Sequence, residues 1–353
     1  MSFDGLMVDG ASYGADKAIA YFDSLIAGRP DVNDWAVKLR DSAAELIANK
    51  GLRATTSGTT GPPKPFLIPH RDLLASCELT RTAFGIGAGA RVLHCLPCDY
   101  VAGKLQLARG FALGWNMHFI DPRGVVLEKL HTREPFRFAA MVPLQLHRML
   151  DHDSDRVNEQ FGTILLGGGP VSDSLRERIA DLRTTVVIGY GSTETVTHVA
   201  LRPLNGAGVS DHFTAIGPVH FGRDPRGCLV VYTPHLNTTQ HVTNDAVELV
   251  DETRFRWLGR VDHVILTGGK KLFPEQLEAR TAGAIPYPHF FSATADELLG
   301  QRVVLTVETE RTHGEVVPGI MDALIKVLHP HEMPRSIVLL PRLDRTSSGK
   351  IKR

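Results

Sequence analysis

At 353 residues the chain is long enough for a full hydrophobic core and for more than one domain. Lysine plus arginine equals aspartate plus glutamate at 39 each, which removes any general attraction for polyanions and argues against nucleic acid as a partner. Residues 1–30 lack the basic, apolar and small-residue order of a secretion signal, and no early run of about 18 apolar residues occurs, so membrane insertion is not expected and the chain reads as cytoplasmic.

The first helical pattern is "DVNDWAVKLRDSAAELIAN", residues 31–49, and a hydroxyl-rich stretch, "ATTSGTTGPPKPFLIPH", follows it. Gly58 and Gly61 free the backbone there, while Thr55, Thr56, Ser57, Thr59 and Thr60 crowd it with donors and Lys64 adds a positive charge. Such a loop can wrap the oxygens of a phosphate; on composition alone it is equally a polar turn between two strands. It is not the G-x-x-x-x-G-K-[ST] nucleotide loop, because Pro63 stands where the second glycine belongs and Pro65 where a Mg2+-binding hydroxyl belongs.

From there helical and apolar strand patterns alternate. Residues 71–86 read as helix, 91–97 as strand, 104–114 as helix, 116–121 and 137–143 as strands, 144–150 as helix, 161–168 as strand, 172–182 as helix and 184–191 as strand. Apolar strands separated by helices predict a mostly parallel sheet covered on both faces. Cys95 and Cys98 form a lone C-x-x-C at the end of an apolar run; with Cys77 and Cys228 they fit neither a disulfide framework nor a zinc knuckle and read as reduced thiols.

"GYGSTETVTH", Gly189 to His198, follows an apolar strand, where parallel α/β sheets bind ligands. A Thr-Glu pair at that point can hold a phosphate oxygen and a Mg2+ ion; the alternative is a polar loop. After about Leu201 the strands become short and alternating, which predicts a twisted antiparallel region. Within it Asp245 is either a salt-bridge partner or an acceptor for two ribose hydroxyls. Arg260 and Asp262 stand where the pattern changes, which sets the expected domains at 1–260 and 261–353. Gly268 and Gly269 suit a hairpin or a close backbone approach to a ligand. Residues 274–283, 302–310 and 316–329 then read as helix, strand and helix of a small α+β domain, and the polar ending around Lys350 reads as a solvated tail.

Taken together, these segments resemble the acyl-adenylate-forming superfamily of acyl- and aryl-CoA ligases, luciferase and adenylation domains. "TSGTTGPPK" is similar to its phosphate loop, "YGSTE" to its adenine and Mg2+ motif, "TND" to its ribose motif in place of the commoner T-G-D, "GRVDHVILTGGKKLFPEQLE" to its hinge and thioester loop, and "RTSSGKIKR" to its C-terminal lysine motif. The resemblance implies an α/β fold: a large N-terminal adenylate-forming domain with mostly parallel sheets and a twisted antiparallel region, and a small mobile α+β C-terminal domain. It also implies ATP, Mg2+ and coenzyme A. On this reading Thr56, Ser57, Thr59, Thr60 and Lys64 hold the β and γ phosphates, with Gly58 and Gly61 shaping the loop. Thr193 takes an α-phosphate oxygen, Glu194 binds Mg2+, and Gly189, Tyr190 and Gly191 belong to the adenine motif. Asp245 takes the ribose with Arg260 assisting, Lys350 bridges the α-phosphate and the acid, Asp262 is the hinge, and Gly268-Gly269 reaches the pantetheine channel.

Family members usually carry a long N-terminal subdomain before the phosphate loop, whereas here 55 residues precede Thr56. That shortness and the texture of the chain are similar to the compact o-succinylbenzoate-CoA ligases of menaquinone biosynthesis. For the acid, Tyr100, Lys104 and Arg109 are the pocket candidates, with Gly167 and Gly168 as a wall. Lys104 or Arg109 would meet a second, ionised carboxylate, unless the two lie on the solvent face of a helix. His198 either reaches the pocket or caps the following strand. Another small aryl- or acyl-CoA ligase, a carrier-protein-loading adenylation enzyme and a silent nucleotide-binding protein are the alternatives. A homodimer is common among such ligases, and the sheet edge that the missing N-terminal region normally covers is either a subunit interface or an exposed strand.

Overall fold

The structure is a computed structural model that describes residues 1–27, 33–48, 51–55, 65–345 and 351–353. Of the expected site residues, Thr56, Ser57, Gly58, Thr59, Thr60, Gly61, Lys64 and Lys350 lie outside the described residues. The chain divides into two compact units. The first comprises Met1–Gly168, Arg178–His220 and Tyr232–His241; the second comprises Gly169–Glu177, Phe221–Val231 and Val242–Arg353.

The chain opens with a hairpin, β1 (Gly5–Val8) and β2 (Ala11–Gly14), and two helices, α1 (Ala15–Ala27) and α2 (Asn33–Ile47). Strands β3 (Leu52–Thr55) and β4 (Pro65–Ile68) pair antiparallel on either side of residues 56–64. Then follow α3 (His70–Phe84), β5 (Arg91–His94), α4 (Val101–Leu113), β6 (Asn116–Phe119), β7 (Phe136–Met141), α5 (Pro143–Gln160), β8 (Phe161–Leu166), α6 (Asp173–Ala180), β9 (Thr185–Ser192), β10 (Thr197–Pro203) and β11 (Phe213–Ala215). The strand order of the first unit is β11-β10-β9-β8-β7-β5-β6-β1-β2, parallel from β9 through β1. Parallel strands are buried on both faces, so β7 and β8 need apolar residues almost throughout; "FAAM" and "ILL" are buried accordingly. Phe3, Phe22, Leu39, Leu73, Trp115 and Phe138 anchor one core that joins the helices to the sheet.

The sheet edge at β6 is covered by the chain itself. Met7 and Val8 of β1 pair in parallel with Asn116 and Met117, and Asn116 Oδ1 accepts the Gly10 N–H at 2.9 Å. The antiparallel region begins at Thr197, because β10 turns back along β9 directly after the Thr-Glu loop.

The second unit holds most of β12 (His220–Arg223), β13 (Cys228–Tyr232), β14 (Gln240–Asp251) and β15 (Arg254–Arg260), in that sheet order. It continues with β16 (Ile265–Thr267), β17 (Lys270–Leu272), α7 (Pro274–Thr281), β18 (His289–Asp296), β19 (Gly300–Glu308), α8 (His313–Val327) and β20 (Ser336–Leu340). Residues beyond 261 carry their own sheet, β17-β16-β19-β18 with β20 on β19, and their own core around Phe291, Leu305, Ile320 and Leu324. The architecture is therefore a large mixed α/β part with a largely parallel sheet and a smaller, mainly antiparallel α+β part at the C-terminal end. Among the described residues no helix is long and apolar enough to cross a membrane.

Candidate active site

The turn between β9 and β10 is built to hold one conformation. Gly191 leaves no room for a side chain, since a Cβ there would lie 1.9 Å from the Thr197 carbonyl oxygen. Thr195 Oγ1 accepts the Ser192 N–H at 2.9 Å and donates to the Thr197 carbonyl at 2.9 Å, and Ser76 on α3 donates to the Val196 carbonyl at 2.9 Å. Val196 is buried at φ +54°, a region that costs a β-branched residue about 1–3 kcal/mol. Strain held by this many bonds marks a loop whose shape matters. It buries Thr193 and leaves the Glu194 carboxylate exposed, and Tyr190 packs against Phe213 with ring centres 5.7 Å apart.

Behind this loop lies Arg109. Helix α4 buries it to 3 % exposure, so the solvent-face alternative falls for this residue. Its Nε donates to Thr80 Oγ1 at 2.9 Å and its Nη2 to Thr197 Oγ1. Thr197 in turn bonds His198 Nδ1 at 2.9 Å, and His198 packs edge-on to Phe84. His198 is buried beside a cation, and both facts hold its imidazole neutral, well below the usual range. Burial also lowers the Arg109 guanidinium to about 10, and among the described residues no carboxylate pairs with it. Lys104 takes a different course: its Nζ donates to the Arg53 carbonyl at 2.6 Å, tying α4 to β3. Tyr100 is the half-buried residue preceding α4, and Gly167 and Gly168 leave β8, with Gly168 at φ +78° and open space at the Gly167 Cα.

The four cysteines are free and buried, and burial pushes the thiols of Cys77, Cys95 and Cys98 up to about 12. Such thiols are poor nucleophiles. Among the described residues no group of three or more His, Cys, Asp or Glu side chains could hold a metal ion. A lone exposed carboxylate such as Glu194 suits Mg2+, which takes its remaining ligands from water and phosphate oxygens.

On the second unit, Asp245 and Arg260 face each other across β14 and β15, with Arg260 Nη1 3.8 Å from Asp245 Oδ1. Trp257 Nε1 donates to the same carboxylate oxygen at 3.2 Å. Asp262 lies just beyond, in a single 3-10 turn, Val261–His263. Partial burial works against its charge, but hydrogen bonds from Arg260 and Asn244 outweigh that and hold its carboxyl below the usual range. Gly268 and Gly269, at φ +53° and +76°, make the two-residue turn between β16 and β17, beside a cleft of about 120 Å3 that Lys270, His331 and Arg335 help to line. Asn244, Trp257 and Thr197 were not singled out by the sequence; only the T-N-D spelling carried a signal for the first.

Residues 54–226 match the profile of the AMP-binding enzyme family. An acyl-CoA synthetase (AMP-forming)/AMP-acid ligase II-like protein from Dyadobacter fermentans is 33 % identical, with a TM-score of 0.61 over 91 % of this chain and 93 % of that one. This chain belongs to that family. It is an AMP-forming acid-thiol ligase, an enzyme that uses ATP, Mg2+ and coenzyme A. A probable 2-succinylbenzoate-CoA ligase from Mycobacterium tuberculosis is 28 % identical over 86 % of this ligase and 82 % of its own length. The o-succinylbenzoate CoA synthetase of Bacillus subtilis, solved with its acyl-adenylate, shares the fold at a TM-score of 0.72 and 22 % identity, over 85 % of this chain and 67 % of that one.

Proposed function

We propose that this ligase joins o-succinylbenzoate to coenzyme A through an acyl-adenylate, releasing AMP and pyrophosphate. Arg109 carries the reading. A buried guanidinium without a carboxylate partner is unfavourable, and an acid that brings a second, unreacting carboxylate relieves it. Thr80 and Thr197 hold two arms of the fork, which fixes the remaining arm for a charge-assisted bond. The named relatives that act on o-succinylbenzoate support the same acid.

Bound ATP supplies an activated phosphoryl centre, and Mg2+ offsets its charge. Around them we assign Thr193, Thr56, Ser57, Thr59, Thr60 and Lys64 to phosphate oxygens, Glu194 to Mg2+, and Tyr190 with Gly189 and Gly191 to the adenine side. Asp245 takes the ribose with Arg260 beside it. Lys350 bridges the reacting carboxylate and the α-phosphate, cancelling charge as two anions approach. Residues 261–353 are the mobile domain, Asp262 is its hinge, and the basic walls beside Gly268 suit the phosphates of coenzyme A.

The test is acid-dependent pyrophosphate release over o-succinylbenzoate, benzoate, salicylate and medium-chain fatty acids, with and without coenzyme A. Selective turnover of o-succinylbenzoate to its thioester is the expected result. Preference for an acid with a single carboxylate sinks the assignment of Arg109 and leaves the adenylation chemistry in place.

A further inference from the structure

Where the family's ribose motif commonly has glycine, this chain has Asn244, between Thr243 and Asp245. Glycine offers only backbone; asparagine adds one acceptor oxygen and an NH2 group. Both ends of the amide are used. Asn244 Oδ1 accepts from Arg226 Nη1 at 2.9 Å, while Nδ2 donates to the two oxygens of Asp262 at 3.0 and 3.3 Å. Charge dictates the orientation: the carbonyl faces the cation and the NH2 faces the anion.

Each neighbour is anchored in turn. Arg226 is held by Asp224, with Nε 2.7 Å from Oδ2, and its Nη2 donates to the Thr243 carbonyl at 3.0 Å. Asp262 Oδ2 also receives Arg260 Nη2 at 2.7 Å. The result is a continuous polar chain, Asp224 to Arg226 to Asn244 to Asp262 to Arg260, running from the β12–β13 turn to the 3-10 turn that links β15 to β16. Alternating charges and dipoles in such a chain polarise one another, so it favours one arrangement over its neighbours. A glycine at 244 would break it in the middle.

A hinge residue absorbs backbone rotation, and side-chain bonds that suit one setting of its angles bias the motion. We infer that Asn244 is a positioning residue for the hinge. Its amide ties Asp262 to the Asp224–Arg226 turn and favours the hinge conformation described above, so residue 244 helps set the balance between adenylation and thioester formation. This rests on the proposed hinge role of Asp262 and not on the identity of the acid.

Asn244→Gly removes the amide, Asn244→Asp turns a carboxylate toward Asp262, and Arg226→Ala cuts the chain while leaving residues 243–245 as they are. Two readouts decide. In the full chain without ligands, amide exchange over residues 261–264 rises about threefold or more in all three variants, while β18 and β19 keep wild-type protection. In rapid-quench assays with ATP, o-succinylbenzoate and coenzyme A, the ratio of pyrophosphate release to thioester formation shifts by about threefold or more, furthest in Asn244→Asp. Unchanged exchange at 261–264, or a fall of both half-reactions in equal proportion, overturns the inference. If the wild type makes no thioester from o-succinylbenzoate, the acid assignment fails, and the exchange readout still decides the role of Asn244.

Discussion

Lys104 Nζ donates to the backbone carbonyl of Arg53 across 2.6 Å, a bond between residues 51 apart in sequence. It fastens α4 to β3, the strand that leads into residues 56–64, and so connects the helix that carries the proposed acid contact Arg109 to the proposed phosphate loop. Lys104→Met therefore raises the KM for ATP, by about three- to tenfold for the loss of one charge-assisted bond, and leaves the ranking of acids unchanged. Steady-state kinetics with each substrate varied in turn checks this. A rise in the KM of the acid alone returns Lys104 to the acid pocket.

Arg109→Leu separates binding from folding. Removing a buried cation that has no carboxylate partner among the described residues leaves stability unchanged or higher, since apolar replacements of buried charges are often neutral or stabilising. The same change lowers kcat/KM for o-succinylbenzoate by about 100-fold or more, the scale of a lost buried charge-assisted contact, and spares benzoate. Urea denaturation and the acid panel measure the two halves. An equal fall for both acids refutes a specific role for the guanidinium.

His94 makes the fold acid-sensitive. It is 2 % exposed, its Nε2 lies 3.0 Å from the Gly103 carbonyl, and burial lowers its imidazole from 6.5 to about 4. Between those values the unfolded chain binds a proton that the folded chain does not, so stability falls as the pH drops from 6.5 toward 4. The full contribution is about 3 kcal/mol, reached below the folded value. His94→Gln retains a donor and removes the titration. Urea midpoints at pH 7 and pH 4.5 should converge in the variant relative to the wild type; an unchanged gap assigns the acid sensitivity elsewhere.

Arg353 clasps the segment after Lys350 to α7. Its Nη1 lies 2.9 Å from Glu275 Oε1 and its Nη2 bonds Glu278, while the Lys352 N–H reaches the Asp344 carbonyl at 2.8 Å and Ile351 bridges to Arg345. These contacts fasten residues 351–353, which follow the proposed catalytic Lys350 in sequence, to α7 and to residues 344–345. Arg353→Gln is expected to slow ATP-pyrophosphate exchange by about tenfold and to leave thioester formation from supplied acyl-adenylate within about twofold of wild type, while Arg353→Lys restores part of the loss. A parallel loss in both steps would show a role in folding alone.

The parallel core was legible because its strands are buried on both faces and therefore apolar without interruption, as in β7 and β8. The β1–β2 hairpin was not: "GLMV" and "ASYG" are four residues each, and β2 has no apolar alternation. Strands β18 and β20 are half-buried and mixed in composition, so their pairing with β19, and not their pattern, makes them strands. At the site, motif order pointed to Glu194 and Asp245, but the burial of Arg109 had no local signature. Helix α4 buries nine of its thirteen residues, so no polar face distinguishes an inward arginine from an outward one. The relay through Asn244 depends on side chains 18 residues apart on either side of it, beyond the reach of any local pattern.

The hairpin at the front of the chain bears on how these molecules behave when crowded. By docking on β6 it replaces that strand's open row of amides and carbonyls with the outer side of β2, only four residues long and carrying Ala11, Ser12, Tyr13 and Gly14. So short a border gives a second sheet little to grow on. Deleting it would uncover β6, and the expected outcome is association through that strand, read as a larger species in size-exclusion chromatography.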